Sequence, residues 1–390
     1  MKRTCWSASL IATVLLCAVA FGQQPVQKPD LPKNFKPMYT VLPWKDAGKY
    51  KDTVRLQSAS GATIPLWSYS LTSPVDNQPY SGMIVGRAPY FHGHRTTTVP
   101  TLMVPVIFTF ADTGTVFDPT ITDPCLGDSV VNAVSNSPVF QPVDWVMNGV
   151  DVGSTQYIDG FQRGEFWALV GGTPQHTVMG LSVLPAIRIT VPVQFGQTYT
   201  GGSCGPLGLM DFNWWDTMVQ NTLIPSLAGE GVGPTNLPLF LFDSVVEYQN
   251  GDPNQCCVLG YHSAYAPNGI LQTYSIGSFD TSGAIGNDIS TMSHEIGEWM
   301  NDPIGNNPTP AWGHIGQQQG CQNNFEVGDP LSPGYGTPTN EWSVTLNGFT
   351  YHLQELAFFS WFYRQSPSLG SGGLYSDNGT FTSGAGPVCQ

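Results

Sequence analysis

The sequence predicts an α+β fold: a mixed sheet carrying one functional helix, preceded by a small β-rich N-terminal region. Three observations predict it. Apolar runs of strand length recur at 101–110, 237–248, 257–265 and 271–279. An amphipathic segment, 288–303, follows the last of them directly. Ahead of these runs, residues 53–85 hold short alternating stretches separated by turn residues, the pattern of a hairpin layer. Composition agrees: 44 Gly and 32 Pro with only 11% charged residues suit a loop-rich β protein, and 41% hydrophobic residues exclude disorder as the default.

The chain starts with a basic Met1-Lys2-Arg3 and an apolar run at 9–20, followed by small residues at Ala18, Ala20 and Gly22. That order predicts a signal peptide over 1–22 and a secreted protein, extracellular or periplasmic. Leu16 before Cys17 argues against a lipoprotein signal. No later run approaches the ~20 apolar residues of a membrane span. Cys125, Cys204, Cys256, Cys257, Cys321 and Cys389 follow the signal, an even set without Cys-x-x-Cys spacing, and are read as disulfides. A net charge of −14 and a pI near 4.6 exclude nucleic acid and anionic membranes as natural partners. The expected partner is a polypeptide substrate or a cell-surface component.

The elements follow in order. Residues 23–43 are proline-rich and read as an extended leader. After the 101–110 strand come a short helix at 128–134 and a second at 154–167, begun by a Ser/Thr cap. Strand character returns at 178–195, and 210–227 reads as a helix weakened by Pro225, with Trp214, Met218 and Leu227 near one side. The strands at 237–248, 257–265 and 271–279 lead into the functional helix. A loop over 304–324, a hairpin turning at Asn347-Gly348 and a buried helix at 353–363 complete the chain. The boundaries are 1–22, 23–95 and 96–390.

The chemistry concentrates in the stretch STMSHEIGEWMNDP, 290–303, for which Asp288 is the predicted N-cap. At ~100° per residue, Ile289, Met292, Ile296, Trp299 and Met300 share one side, while His294 and Glu298 stand a turn apart on the other, facing a cleft. An imidazole nitrogen and a carboxylate oxygen are both zinc ligands, and a catalytic site needs a third ligand plus an open position. Glu326, within Asn324-Phe325-Glu326-Val327-Gly328-Asp329, is the first candidate for that ligand; Asp329 is the reserve and Asp302 a poorer choice. Glu295, next to His294, is the candidate general base. His92 and His94 could form a second metal site but fit a surface loop better. His262, His314 and His352 read as structural or exposed groups, any of which, or Tyr261 or Tyr351, could stabilise an oxyanion. Trp214, Trp215 and Trp361 fit core better than sugar binding, and no acidic pair has the positional support a glycosidase needs. Asn378-Gly379-Thr380 is a sequon that matters only in a eukaryotic host.

His294-Glu295-x-x-Glu298 followed by a downstream Glu resembles the zincin metallopeptidases, with Glu in place of the second motif His. The longer pattern through Asn301-Asp302-Pro303 to Glu326-Val327-Gly328-Asp329, with Gly260-Tyr261-His262-Ser263 upstream, is similar to the exordium-like, phosphate-induced protein family of secreted proteins. The zincin resemblance implies a zincin-like domain over 96–390 and a secreted metal-dependent peptidase. It also implies Zn²⁺ on His294, Glu298 and Glu326, with Glu295 as base. The second resemblance implies the alternative, a non-enzymatic extracellular or cell-wall protein with a structural metal. One imidazole and two carboxylates neutralise a divalent ion, which weakens its pull on water and shifts preference toward Mn²⁺ or Ca²⁺.

Overall fold

Residues 38–43, 45, 47–74, 76–92, 95–312, 322–329, 341–358 and 369–370 are described by the structure, a computed structural model. Residues 1–37, which hold the expected signal peptide and most of the expected leader, and His94, His314, Cys321, Trp361, the Asn378 sequon and Cys389 lie outside the described residues.

β1 (Met38–Leu42) and α1 (Ala47–Ala59) come first. The TVRLQ run, expected as part of the hairpin layer, is the second half of α1. Its burial explains why. Val54 is 1% exposed and Leu56 65%, whereas a strand would present residues two apart to the same face. The hairpin itself is β2 (Leu66–Thr72) and β3 (Pro79–Val85), paired from Leu66↔Val85. After the single turn α2 (Pro89–His92) comes β4 (Thr96–Phe110), which extends the 101–110 run, then β5 (Val116–Phe117). α3 (Val130–Ser135) is capped by Ser129, whose hydroxyl accepts the Asn132 N–H.

A hairpin of β6 (Val143–Met147) and β7 (Val150–Thr155) takes Ser154 and Thr155, the expected caps of the next helix. α4 (Tyr157–Glu165) therefore begins after Gln156, which makes no side-chain cap, and α5 (Trp167–Val170) follows. The 178–195 strand divides into β8 (His176–Val183) and β9 (Ile187–Val191), both parallel to β4 at successive positions. After β10 (Gly196–Tyr199), β11 (Leu207–Asp211) claims the start of the expected 210–227 helix. Asp211 caps α6 (Phe212–Met218), and a π turn at Val219–Leu223 precedes α7 (Ile224–Ser226). The proline ring of Pro225 would clash with an α-helical carbonyl one turn earlier, which a widened turn relieves. Leu227 is buried as expected, together with Phe212, Trp215, Val219, Leu223 and Ile224; Met218 and Trp214 are only partly buried, and Trp214 stacks on Phe195 at 5.5 Å.

Ser244, at φ +50°, splits the next run into β12 (Leu237–Asp243) and β13 (Val245–Tyr248). β14 (Cys256–Tyr265) and β15 (Gln272–Phe279) form as expected and lead to α8 (Ser290–Asn301). The loop beyond holds a pair expected as coil, β16 (Pro308–Trp312) and β17 (Gln322–Asn324). β18 (Glu341–Leu346) and β19 (Phe349–Gln354) turn at Asn347 and Gly348, both at positive φ, as a tight two-residue hairpin requires. The predicted helix at 353–363 is not formed in its described part: Leu353 and Gln354 are the last residues of β19, while Leu356 and Phe358 are buried in irregular chain.

The fold is α+β, with few helices on one mixed sheet of order β10-β11-β13-β14-β15-β12-β4-β5; β1 lies beside β14, and β8 and β9 beside β4. β12 runs parallel to β4 and β15, whereas β14 runs antiparallel to β15 and β13. Alternation along β12 gives the sheet two apolar faces. Leu237, Leu239 and Leu241 join the core around α4 and α8, and Phe240 and Phe242 join the aromatic core around α6. Cys125 and Cys204 form a disulfide with Cα atoms 6.1 Å apart, and the adjacent Cys256 and Cys257 are bonded to each other. Among the described residues no helix is long and apolar enough to cross a membrane.

Candidate metal centre

α8 lies across β14 and β15 at a distance only glycine allows. A Cβ on Gly260 would stand 2.5 Å from Thr291 Cγ2, and one on Gly277 would stand 2.8 Å from Met292 Cε. Ile289, Met292, Ile296, Trp299 and Met300 fill the core as the helical spacing predicts. Asp288 is not the cap. Ile289 takes that position without a side-chain bond, and Asp288 Oδ1 accepts N–H groups from Ile289 and His352, tying the helix start to β19. The opposite side of α8 was expected to face a cleft. Instead His294, Glu295 and Glu298 are buried (0% exposed), because the 325–329 segment and the chain around Leu356 cover them.

That cover brings the sequence candidates together. His294 Nε2 lies 3.2 Å from Glu298 Oε2 and 3.6 Å from Asp329 Oδ1. Ligand atoms around a tetrahedral ion with ~2.1 Å bonds stand roughly 3.4 Å apart, so these three are spaced as a ligand set. The other oxygen, Glu298 Oε1, accepts the Gly328 and Asp329 N–H groups at 3.0 and 2.9 Å, which fixes the carboxylate before any ion arrives. Gly328 is required there, since its Cβ would fall 2.5 Å from His294 Nδ1. Glu326 is also fully buried but stands on the other side of Glu298. Its neighbours are the Glu298 and Asp302 carboxyls and His262 Nε2, 3.6 Å from Oε2. Asp302 turns its carboxylate to the Asn306 and Asn307 N–H groups and so closes the loop after α8.

His262 is the residue that sequence reasoning undervalued. It is fully buried, with Nδ1 3.2 Å from Glu295 Oε2 and Nε2 3.1 Å from the Asp302 carbonyl oxygen. Strand alternation was the available signal: once Gly260 faces α8, His262 must face it too, and Tyr261 must not. Tyr261 accordingly bonds Asp216 on the far side of the sheet, and the Tyr351 hydroxyl donates to the Ala133 carbonyl. His352 pairs with Asp288, so none of these three reaches Glu295.

Electrostatics match the crowding. Burial, then Glu298 and Asp329, push the Glu295 carboxyl well above its usual range. Burial and the neighbouring carboxylates do the same to Glu326 and Asp329, and burial raises Asp302 to about 7. Burial also acts upward on Glu298, but the His294 imidazole beside it outweighs that and holds it low. Burial pushes His262 down to about 4. Five carboxyls thus share one buried volume with two imidazoles, and from residue 189 onward the sequence contains only one Lys or Arg, Arg364. Buried carboxyls in this number need protons or a cation to offset their charge, and the donor types present are those of metal ligands. Comparison with protein families, curated proteins and solved structures finds no match to this chain.

Proposed function

We propose that the protein is a secreted, metal-dependent hydrolase of peptide bonds with a zincin-like centre. The observation that supports this is the buried triangle of His294 Nε2, Glu298 Oε2 and Asp329 Oδ1, with Glu295 adjacent on the same helix. His294, Glu298 and Asp329 hold one divalent ion, Zn²⁺ first among candidates. Asp329 takes the third place because it, and not Glu326, lies beside His294. Bound there, a divalent ion would supply Lewis-acid polarisation of a carbonyl and acidify a water. Glu295 would accept the proton of the attacking water and return it to the leaving amine. His262, held through Nε2 by the Asp302 carbonyl, faces Glu295 Oε2 with Nδ1 at 3.2 Å, where it can accept a hydrogen bond from the protonated carboxyl. Gly328 and Asp329 keep the Glu298 carboxylate in place with their backbone N–H groups.

Complete burial supports a second reading, an extracellular or wall-associated protein with a structural metal, because structural sites are closed and catalytic ones keep an open position. Metal analysis of the purified protein and of Asp329→Ala, with an unstructured polypeptide as substrate, separates the readings. The hydrolase binds metal in the wild type, loses the ion on His294 in Asp329→Ala, and in Glu295→Gln loses cleavage while keeping that ion. Wild type that binds metal but cleaves nothing supports the structural role, and metal-free wild type sinks both.

A further inference from the structure

We infer that the centre holds two divalent cations bridged by Glu298, the second held by His262, Glu295 and Glu298. This deepens the proposed metal site and rests on it. Two sets of three ligand atoms, each set mutually within 4.8 Å, occur in the cluster: His294 with Glu298 and Asp329, and His262 with Glu295 and Glu298. They share only Glu298, on which the two histidines converge from different elements, α8 and β14.

His262 shows what its side of the bridge is for. Its Nε2 lies 3.1 Å from the Asp302 carbonyl, which can only accept, so Nε2 carries a proton and donates it. In the neutral imidazole Nδ1 then presents a lone pair, and it presents it to a carboxylate oxygen, Glu295 Oε2, at 3.2 Å. Only a proton on Glu295 or a cation can sit between these two atoms, and their separation is also that of two ligands of one ion. A metal-bound histidine typically has this environment, one nitrogen on a backbone carbonyl and the other on the ion. Glu295 Oε1 and both oxygens of Glu326 are buried and receive no hydrogen bond from an N–H or hydroxyl among the described residues. Glu326 borders Glu298 and Asp302 on this same side, where it would complete the second set or bond its water. Charge points the same way. One divalent ion offsets two of the five carboxylates, and two ions offset four, in a volume with no water to screen the remainder.

In the doubly loaded protein Glu295 is a ligand, so its proton-accepting role belongs to the singly loaded state and the second ion inhibits. The test is Zn²⁺ titration of the full chain by calorimetry with elemental analysis, alongside Mn²⁺ loading read by electron paramagnetic resonance. Two equivalents are expected for wild type and one for His262→Gln, with circular dichroism confirming the fold. Asp329→Asn keeps the other position and also binds one. The Mn²⁺ spectrum, which needs no variant, should show spin coupling through the shared carboxylate, and peptide cleavage should peak at one equivalent of Zn²⁺. A wild type that saturates at one equivalent, unaffected by His262→Gln, overturns the second position and leaves the first standing. No binding at all overturns both. Cleavage still rising at two equivalents overturns the inhibitory role.

Discussion

Tyr261 and His262 are neighbours on one strand, and they enter two buried polar networks of opposite character. On the Tyr261 side, Asp216 accepts hydrogen bonds from Tyr261 at 3.1 Å, Tyr274 at 2.5 Å and Gln220 at 2.9 Å. One carboxylate meets three donors. On the His262 side five carboxyls meet two imidazoles and a few backbone N–H groups, and several oxygens have no donor among the described residues. Asp216 and Gln220 are partly exposed whereas the carboxyls around His262 are fully buried, so the network further from water is the less complete one. A satisfied network is finished as structure, whereas an unfinished one with the donor spacing of a coordination shell is the place where the proposed ion would fit.

Metal should therefore separate the two networks most strongly. Saturating Zn²⁺ at a thousandfold excess over Kd stabilises the native state by about 4 kcal/mol, seen as a rise in Tm that chelation reverses. The effect depends on pH. Without metal, the raised Glu295, Glu326, Asp329 and Asp302 groups bind protons in the native state that the unfolded chain has already released. The contribution of these carboxyls to stability is thus fullest below about pH 4 and is lost as pH rises through the Asp302 value of about 7, opposed in part by His262, which burial holds near 4. Urea titrations at pH 5 and 8 with and without chelator check this; a metal-free protein more stable at pH 8 would contradict it.

Asp216→Ala is the matching blow to the other network. It strands the Tyr261 and Tyr274 hydroxyls in the core around Trp215, Phe240 and Phe242. The loss should be roughly 3 kcal/mol, with metal stoichiometry unchanged once the protein is folded. A lost metal site would show that the sheet couples its faces and that the two networks are one.

The two networks were unequally legible in the sequence. Helical spacing placed the core and ligand sides of α8, because 3.6-residue periodicity survives whatever packs on it. The consecutive strands before it were legible for the same kind of reason. What spacing cannot show is the third dimension. Glu326 and Asp329 are three residues apart in one loop, and only the path past Gly328 decides which meets His294. His262 looked like any lone histidine until strand pairing fixed the face it shares with Gly260. Asp288 carried a cap's sequence signal, but β19 competed for its oxygens and won. TVRLQ, expected as strand, became helix because tertiary burial chose Val54 and released Leu56.

The path past Gly328 can itself be tested. Gly328→Ala puts a methyl against the His294 ring and shifts the backbone that holds both Glu298 Oε1 and Asp329. First-site affinity should fall by about 10- to 100-fold, the usual cost of disturbing groups that support metal ligands, measured by competition with a chromophoric chelator. Unchanged affinity would mean that Asp329 is not a ligand.

The smallest expected effect probes the strand itself. Tyr261→Phe removes one of the three donors to Asp216 and leaves Tyr274 and Gln220 in place, so the carboxylate stays bonded. The cost should be about 1 kcal/mol, read from urea unfolding. Metal affinity should not move, although the substituted residue is covalently next to His262. Adjacent residues on a strand face opposite ways, so the backbone carries the two networks without joining them. A Tyr261→Phe protein that loses metal as readily as stability would mean that the backbone at Tyr261 transmits a shift to His262, and the contrast between the two faces would then be one of degree.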